Sequence, residues 1–225
     1  LLLGARNKNV TYLTNTEGSV TAFVQEGALW TYTQNNGKFA QVFDFRKAAK
    51  GDFRDSHTEH DIKLLSVEDD GDVNFMVYGY MNRGSHEGYC GAGIYHYNHD
   101  QNVVEEKVFI PTTESFEFLK SDLGTLSYVN KKNQLFLLLS GSLYQINIDD
   151  SDYKVLAENI DSNQFAVSET NAHAAWRIVD GEQTGQIEYI DFDSLKTRND
   201  TPDASQQLRV LGFMNEDLIY GNVLD

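Results

Sequence analysis

The sequence contains little cysteine and little proline. A single cysteine, Cys90, among 225 residues excludes an intrachain disulfide. Its position between Tyr89 and Gly91 predicts a small, buried, apolar residue. Two prolines in the whole chain fit a protein rich in hydrogen-bonded strands, because proline cannot donate a hydrogen bond to a strand ladder.

Positive charge is also scarce. Lysine and arginine total 18 against 34 aspartates and glutamates, which gives a formal net charge of −16. Such a charge repels phosphate backbones and anionic lipid headgroups, so nucleic-acid binding and membrane-surface binding are excluded as functions. The acidic residues are spread through predicted turns rather than collected in one tail, a pattern typical of a solvated surface.

Long apolar runs are missing as well. The longest uninterrupted run, Leu135 to Leu139, is far shorter than the ~20 residues of a membrane helix. The sequence therefore predicts no insertion into a membrane. It begins at Leu1 without methionine and without a signal-peptide pattern, which indicates a processed protein or a piece of a longer one.

One stretch, Gly141 to Ile160, shows what the chain does contain. Apolar and polar residues alternate through Leu143 to Ile148, and the alternation resumes from Tyr153. The acidic segment Asp149 to Asp152 separates the two parts. A period of two on both sides of a polar turn predicts a β-hairpin with half-buried strands.

The same pattern recurs along the chain, each time with an aromatic residue near the start of one strand. Successive aromatic anchors are 65, 49 and 45 residues apart: Trp30, Tyr95, Tyr144 and Tyr189. The centres of the preceding strands are 52, 62, 38 and 44 residues apart: Phe23, Phe75, Leu137, Ala175 and Ile219. Periods in this range are typical of propeller blades or another repeat array.

We therefore predict an all-β fold, a β-propeller or propeller fragment of about four to five four-stranded antiparallel blades. Residues 1–225 are expected to form a single propeller-like domain, part of a longer chain. Pro111 is expected to end a strand, and Thr112 to Ser121 is expected to hold a short helix or an inserted loop. The predicted blades, the last one partial, are 9–46, 60–111, 122–160, 163–200 and 207–225.

Two His-x-x-His pairs were weighed as metal sites. His57 and His60 flank a threonine and a glutamate, and His96 and His99 form the second pair. Imidazole and carboxylate groups are suitable ligands for Zn²⁺. A spacing of three on a strand, however, places His96 and His99 on opposite faces. The pattern favours solvated polar loops and edges over a metal site.

Clusters of acidic residues have two interpretations. Asp69 to Asp72 and Asp149 to Asp152 resemble half of a calcium loop, but both lack the distal bidentate glutamate, so hairpin turns are favoured. Propeller glycosidases place carboxylates at the starts of inner strands, ~5–9 Å apart. The sequence does not give that separation for the acids in such positions, namely Glu59, Asp61, Glu216 and Asp217.

The four aromatic anchors also have two interpretations. They match a carbohydrate-stacking ladder, but their repetition at one structural position favours packing between blades. The sequence contains no Gly-x-Ser-x-Gly elbow, Walker loop or dinucleotide fingerprint. From the sequence we assign no catalytic residue, no cofactor-binding residue, no metal ligand and no cofactor.

Anchored blades with acidic hairpin turns resemble the degenerate propeller repeats of bacterial extracytoplasmic proteins, broadly those of the Tol system and WD40-like propellers. The resemblance extends from Val10 to Val223. It implies a non-catalytic binding or scaffold module of an exported, extracytoplasmic or cell-surface bacterial protein. The partner would be a protein, a peptide or a glycan. Contact is expected at the connectors or the channel face, the connectors being Lys47 to Thr58, Asn82 to Gly88 and Thr112 to Ser121.

An enzyme is the alternative interpretation. In that case the chain would be the propeller domain of a glycosidase, or the gating domain of a peptidase whose catalytic domain lies outside this chain. The sequence favours the non-catalytic interpretation, because it carries none of the motifs of covalent or nucleotide chemistry.

Overall fold

The structure, a computed structural model, describes residues 10–44, 59–179, 181, 185–202 and 206–224, without the side chain of Leu224. The predicted connector Lys47 to Thr58, including His57, lies outside the described residues. The chain divides into two compact units, Leu1–Lys120 and Ser121–Asp225, and each is described by itself.

The described residues of the first unit form two antiparallel sheets. Sheet 1 has the order β1-β2-β3-β4 and sheet 2 the order β5-β6-β7-β8. The strands of sheet 1 are β1 (Tyr12–Thr14), β2 (Val20–Gln25), β3 (Ala28–Thr33) and β4 (Lys38–Asp44). The strands of sheet 2 are β5 (His60–Val67), β6 (Val73–Tyr80), β7 (Cys90–Asn98) and β8 (Val103–Thr112).

Helix α1 (Phe116–Thr125) connects the first unit to the second along the chain, and the second unit then contains three sheets in the part that the structure describes. The strands of sheet 3 are β9 (Ser127–Val129), β10 (Gln134–Leu139), β11 (Ser142–Asn147) and β12 (Asp152–Ala157). Those of sheet 4 are β13 (Phe165–Val167), β14 (His173–Arg177), β15 (Ile187–Asp191) and β16 (Lys196–Asp200). Sheet 5 consists of β17 (Gln206–Met214) and β18 (Asp217–Leu224).

Sheets 1 to 4 are four-stranded meanders in which each strand pairs with its neighbour along the chain. That connectivity is the one found in propeller blades. Sheet 5 supplies a further two-stranded unit within the described residues. The predicted fold class is thereby confirmed: the chain is all-β, with propeller-type blades that are mostly four-stranded.

The register of the strands shows that the repeat is structural. In every four-stranded sheet the aromatic anchor on the third strand lies directly opposite the centre of the second strand. These pairs are Phe23 with Trp30, Phe75 with Tyr95, Leu137 with Tyr144, and Ala175 with Tyr189. In sheets 1, 2 and 3 the third and fourth strands also shift register immediately before the anchor, so the blades share a bulge as well.

The cores explain why these strands are apolar. In the first unit, Leu29 of sheet 1 belongs to the same buried cluster as Phe75 and Val77 of sheet 2. In the second unit, Phe136 of sheet 3 is buried in one cluster with Trp176 of sheet 4. Because β6 is buried along nearly its whole length, both of its faces are apolar.

Two boundaries differ from expectation. Pro111 does not end a strand, since β8 continues to Thr112; β8 is the edge strand of sheet 2, where a residue without an N–H group is tolerated. The expected helix begins at Phe116 and runs to Thr125, past the expected end at Ser121. The Thr125 hydroxyl donates to the Ser121 carbonyl within the helix, at 3.0 Å.

Candidate functional site

The loop Asn82 to Gly88 between β6 and β7 forms the wall of a pocket in the first unit. Two backbone hydrogen bonds hold the base of this loop: Gly88 N donates to Met81 O at 2.9 Å, and Met81 N donates to Tyr89 O at 2.8 Å. The loop is therefore tied to the end of a buried strand and presents its side chains on a fixed support.

We call this cavity the loop pocket. It has a volume of about 210 Å³. Its lining combines apolar and aromatic side chains with charged ones: Phe43, Asp44, Met81, Arg83, Gly84, Ser85, His86, Tyr95 and Glu106. A mainly apolar cavity with a few polar groups is the usual form of a ligand site.

Two aromatic rings, Phe43 and Tyr95, line the apolar side of the loop pocket, and Phe75 packs against both of them. The ring centroids of Phe43 and Tyr95 are 5.5 Å apart, those of Phe43 and Phe75 are 5.2 Å apart, and those of Phe75 and Tyr95 are 5.4 Å apart. Phe43 comes from sheet 1, while the other two come from sheet 2. The anchor Tyr95 therefore packs between blades, as the sequence predicts, and also lines a cavity.

Glu106 organises the polar side of the loop pocket. Its two carboxylate oxygens contact two different groups: the Tyr95 hydroxyl donates to Oε2 at 2.8 Å, and Oε1 lies 2.6 Å from Nε2 of His86. The His86 ring stacks on Phe109, with centroids 3.8 Å apart. Each side chain is thus held by a second contact, so the polar edge is preorganised.

This environment also changes the acidity of Tyr95. Burial, together with the hydrogen bond to Glu106 and the negative charge of that carboxylate, raises the pKa of the Tyr95 phenol well above its usual range. The phenol therefore stays protonated at neutral pH and acts as the donor to Glu106.

The second histidine pair, His96 and His99, does not line the loop pocket. His96 is held by Asn74 and Asp72: its Nδ1 lies 2.8 Å from Asn74 Oδ1, and its Nε2 lies 3.1 Å from Asp72 Oδ2. His99 lies in the turn after β7, and its backbone N donates to Asp72 Oδ1 at 2.7 Å. Asn74 is fully buried. This buried network joins the hairpin ends of sheet 2.

The described residues contain no group of three or more His, Cys, Asp or Glu side chains placed to hold a metal ion. The first pair cannot be assessed as a pair, because His57 is outside the described residues. His60 lies in β5, opposite Gly79.

Both acidic segments form turns. Glu68 N donates to Asp72 O at 2.8 Å and closes the turn that contains Asp69 and Asp70. The segment Asp149 to Asp152 connects β11 to β12. The interpretation as hairpin turns agrees with these positions.

The acids weighed for glycoside hydrolysis have other contacts. Asp61 accepts from the Tyr78 hydroxyl at 3.5 Å and lies 3.9 Å from Lys120 Nζ. Glu216 Oε2 lies 3.4 Å from Nε2 of His173 in the second unit. Glu59 precedes β5, and Asp217 begins β18.

The other residues singled out in the sequence, two aromatic anchors and the cysteine, lie on strands of the blades. The Tyr189 hydroxyl lies 2.6 Å from Nδ1 of His173. The Tyr189 ring packs against Phe213 of sheet 5, with ring centroids 6.4 Å apart. Tyr144 packs against Tyr153 of its own sheet, at 5.9 Å. Cys90 is a free thiol of intermediate exposure rather than a fully buried residue, and burial is the main cause that raises its pKa.

Sequence reasoning identified only part of the loop pocket. It singled out the loop Asn82 to Gly88 and the anchor Tyr95, and it missed Phe43, Glu106 and the role of His86. The segment Thr112 to Ser121 runs from the last residue of β8 into α1 and contributes nothing to this cavity's lining. In the part of the chain that the structure describes, no helix is long and apolar enough to cross a membrane.

Comparison with known proteins gives similarity in fold only. No family model matches the sequence, and no curated protein matches it. Solved structures that match it include TolB from Acinetobacter baumannii, at 12% identity over 85% of this chain with a TM-score of 0.43. Dipeptidyl peptidase 4 of Porphyromonas gingivalis matches at 9% identity over 95% of this chain with a TM-score of 0.45.

The WD40 domain of SCAP from fission yeast matches at 10% identity over 91% of this chain, with a TM-score of 0.44. This chain spans 42% of the TolB chain, 36% of the peptidase and 45% of the WD40 domain chain. At these identities and scores the matches say nothing about activity. The repeats are degenerate propeller repeats, and their sheet order and shared register are the observations that show it.

Proposed function

We propose that this chain is a non-catalytic binding module that recognises a protein or peptide segment at the loop pocket. The observation that carries the proposal is the composition of that cavity, an apolar floor of Phe43, Met81 and Tyr95 beneath a loop that the sequence already marks as a contact. Such a floor accepts an apolar side chain. The rim, with Arg83 and Glu106, offers both signs of charge to the neighbouring polar groups of a bound peptide.

The loop pocket's rigidity supports this proposal. The Tyr95–Glu106–His86 contacts fix the polar edge before any ligand arrives, so binding orders fewer side chains. A peptide that inserts one apolar residue would displace water from the apolar floor and gain affinity from the buried apolar area.

Blocking the loop pocket tests the proposal. Ser85 is exposed on the loop and lines the cavity, so Ser85→Trp places a large ring at its mouth without touching the core. The matched control is Ser162→Trp, at an exposed serine of the second unit. Random linear peptides displayed on phage are selected on the unmodified chain, and the enriched peptides are synthesised and titrated by fluorescence anisotropy.

We expect the enriched peptides to share an apolar residue and to lose at least about tenfold in affinity for Ser85→Trp, a change of about 1.4 kcal/mol. Ser162→Trp should bind them as the unmodified chain does. Failure to enrich any peptide, or equal binding by both variants, would overturn the proposal.

Further parts of the sequence-based interpretation remain proposals. Residues 1–225 are proposed to form one propeller-like domain, and the protein is proposed to be exported and to work outside the cytoplasm. The resemblance of the repeats supports both. Cell fractionation of the source organism with an antibody to this chain tests location, and recovery in the cytoplasmic fraction would contradict export. The enzyme alternative stays a prediction.

A further inference from the structure

Sheet 3 carries a second cavity, which is built by strands rather than by a loop. We call it the sheet pocket. It has a volume of about 200 Å³ and lies over β10, β11 and β12. Its lining is polar: Gln134, Gln145, Asn147, Asp152, Tyr153 and Lys154.

Strand register explains how these polar side chains meet. Gln134 pairs with Asn147, which pairs with Asp152 on the next strand. Gln145, two residues before Asn147, pairs with Lys154. Residues two apart on a strand, and residues directly opposite each other, share one face of the sheet. Tyr153 lies between Asp152 and Lys154 and so faces the other side of the sheet. The other five lining residues form a polar patch that the pairing of three strands holds in place.

Gln145 is the unusual member of this patch. Its exposure is only 6%, and its Oε1 is buried without a hydrogen-bond partner among the described residues. The neighbouring amides are engaged: Asn130 Nδ2 donates to Gln134 Oε1 at 3.0 Å, and Asn147 Nδ2 donates to Asp150. A buried acceptor without a donor costs about 1–3 kcal/mol, so a donor supplied by a bound molecule would offset that cost.

The rest of the lining limits the chemistry of that donor. Asp152 disfavours an anion, and Lys154 disfavours a simple cation. A neutral group that both donates and accepts hydrogen bonds suits all three side chains. It donates to Gln145 Oε1 and to Asp152, and it accepts from Lys154 Nζ. Adjacent hydroxyl groups on one small ring have this property, and a cavity of about 200 Å³ has room for such a ring rather than for a single water molecule.

We propose that the sheet pocket binds a neutral polyhydroxylated ligand, a sugar unit of a glycan, with Gln145 Oε1 as its central acceptor. This site is separate from the loop pocket in residues and in chemistry. It therefore does not depend on the function proposed for the loop pocket.

Nuclear magnetic resonance with simple sugars tests this proposal. Glucose, galactose, mannose and N-acetylglucosamine are each titrated into the ¹⁵N-labelled chain, and the side-chain amide signals of Gln145 and the backbone signals of β11 are followed. We expect saturable shifts of these signals with at least one sugar. Gln145→Met, which keeps the length of the side chain and removes the amide, should weaken that binding at least about tenfold.

Two further variants keep the test decisive. Gln101→Met changes an exposed glutamine in the turn after β7 and should bind the sugar unchanged. Lys154→Gln alters an exposed lining residue and should weaken binding several-fold even if Gln145→Met folds poorly. The proposal is overturned if all four sugars leave β11 unshifted at about 100 mM, or if Gln145→Met and Lys154→Gln both bind as the unmodified chain does.

Discussion

The loop pocket and the sheet pocket are similar in size but opposite in construction. In the loop pocket Tyr95 and His86 both contact Glu106, and most of the exposed lining is apolar. In the sheet pocket the lining is polar, and Gln145 Oε1 is left without a partner among the described residues. Polar groups that already contact one another leave an apolar cavity suited to an apolar ligand. A buried acceptor without a partner instead suits a ligand that brings a hydrogen-bond donor.

The two pockets nevertheless depend on the same local feature. In sheet 2 a one-residue bulge before Tyr95 places Glu106 opposite the anchor, where the preceding register would place Lys107. In sheet 3 a bulge before Tyr144 places Lys154 opposite Gln145, where the preceding register would place Val155. One repeated backbone irregularity therefore sets the charge of both pockets.

The largest expected difference between the two regions is in the stability lost when one glycine of each is replaced by alanine. Gly79 is the next-to-last residue of β6 in the first unit, with a φ of +117°, and a Cβ there would lie 2.3 Å from the Glu59 carbonyl oxygen. Gly141, in the turn between β10 and β11, has a φ of +70°, and its Cβ would lie 3.2 Å from the Ile160 carbonyl oxygen. We expect Gly79→Ala to lose more than about 3 kcal/mol and Gly141→Ala about 1–2 kcal/mol.

Urea denaturation of both variants, monitored by tryptophan fluorescence, measures this difference. Gly124→Ala serves as the control, because a Cβ at this helical position meets open space. It should be neutral or slightly stabilising. If Gly79→Ala and Gly141→Ala had the same midpoint, the close backbone approach at Gly79 would not be a constraint.

The blades were predictable because their signals are local and repeated. Aromatic anchors such as Tyr95 and strand centres such as Phe75 recur at one position, and the structure pairs them directly. Alternation and turn residues located the β-hairpins, and Asn82 to Gly88 was recognisable as a loop. Pro111 was misjudged because its edge position depends on the sheet order, which lies outside local pattern.

The pockets were not predictable to the same extent. Glu106 meets Tyr95 only because of the bulge in β8, and the alternation of β8 breaks there without showing which residue of β7 lies opposite. Gln145 is one polar residue in an alternating strand, so the pattern predicts a solvated side chain, yet its burial depends on neighbouring elements. Long-range packing, rather than local preference, decides both cases.

Removing one polar group from each pocket should change the free energy of unfolding by a smaller amount. The change should have opposite signs in the two pockets. Tyr95→Phe deletes the donor to Glu106 and should lower the free energy of unfolding by about 1 kcal/mol. Gln145→Met deletes a buried acceptor that lacks a partner in the described chain and should raise it by about 1 kcal/mol. Urea denaturation without ligand measures both changes. A loss of stability in Gln145→Met would mean that the amide oxygen is satisfied in solution.

The smallest expected effect is a difference in alkaline stability. Burial and Glu106 raise the pKa of Tyr95, and burial, with the charge of Tyr153, raises that of Tyr144. Both phenols therefore lose their protons more readily in the unfolded chain, whose tyrosines titrate near pH ~10. The free energy of unfolding should thus be unaffected by these groups below about pH 10 and should fall as the pH rises further.

Tyr95→Phe should reduce the decrease in the free energy of unfolding at high pH more than Tyr144→Phe does. The reason is that Tyr95 donates to the Glu106 carboxylate, which would repel the ionised phenol. Urea denaturation at about pH 8, 10 and 11 for the unmodified chain and both variants gives the slopes, with ionic strength held constant. A slope in Tyr95→Phe equal to that of the unmodified chain would show that Glu106 and Tyr95 are not coupled. The polar edge of the loop pocket would then be mobile rather than fixed, and the contrast with the strand-built pocket would be lost.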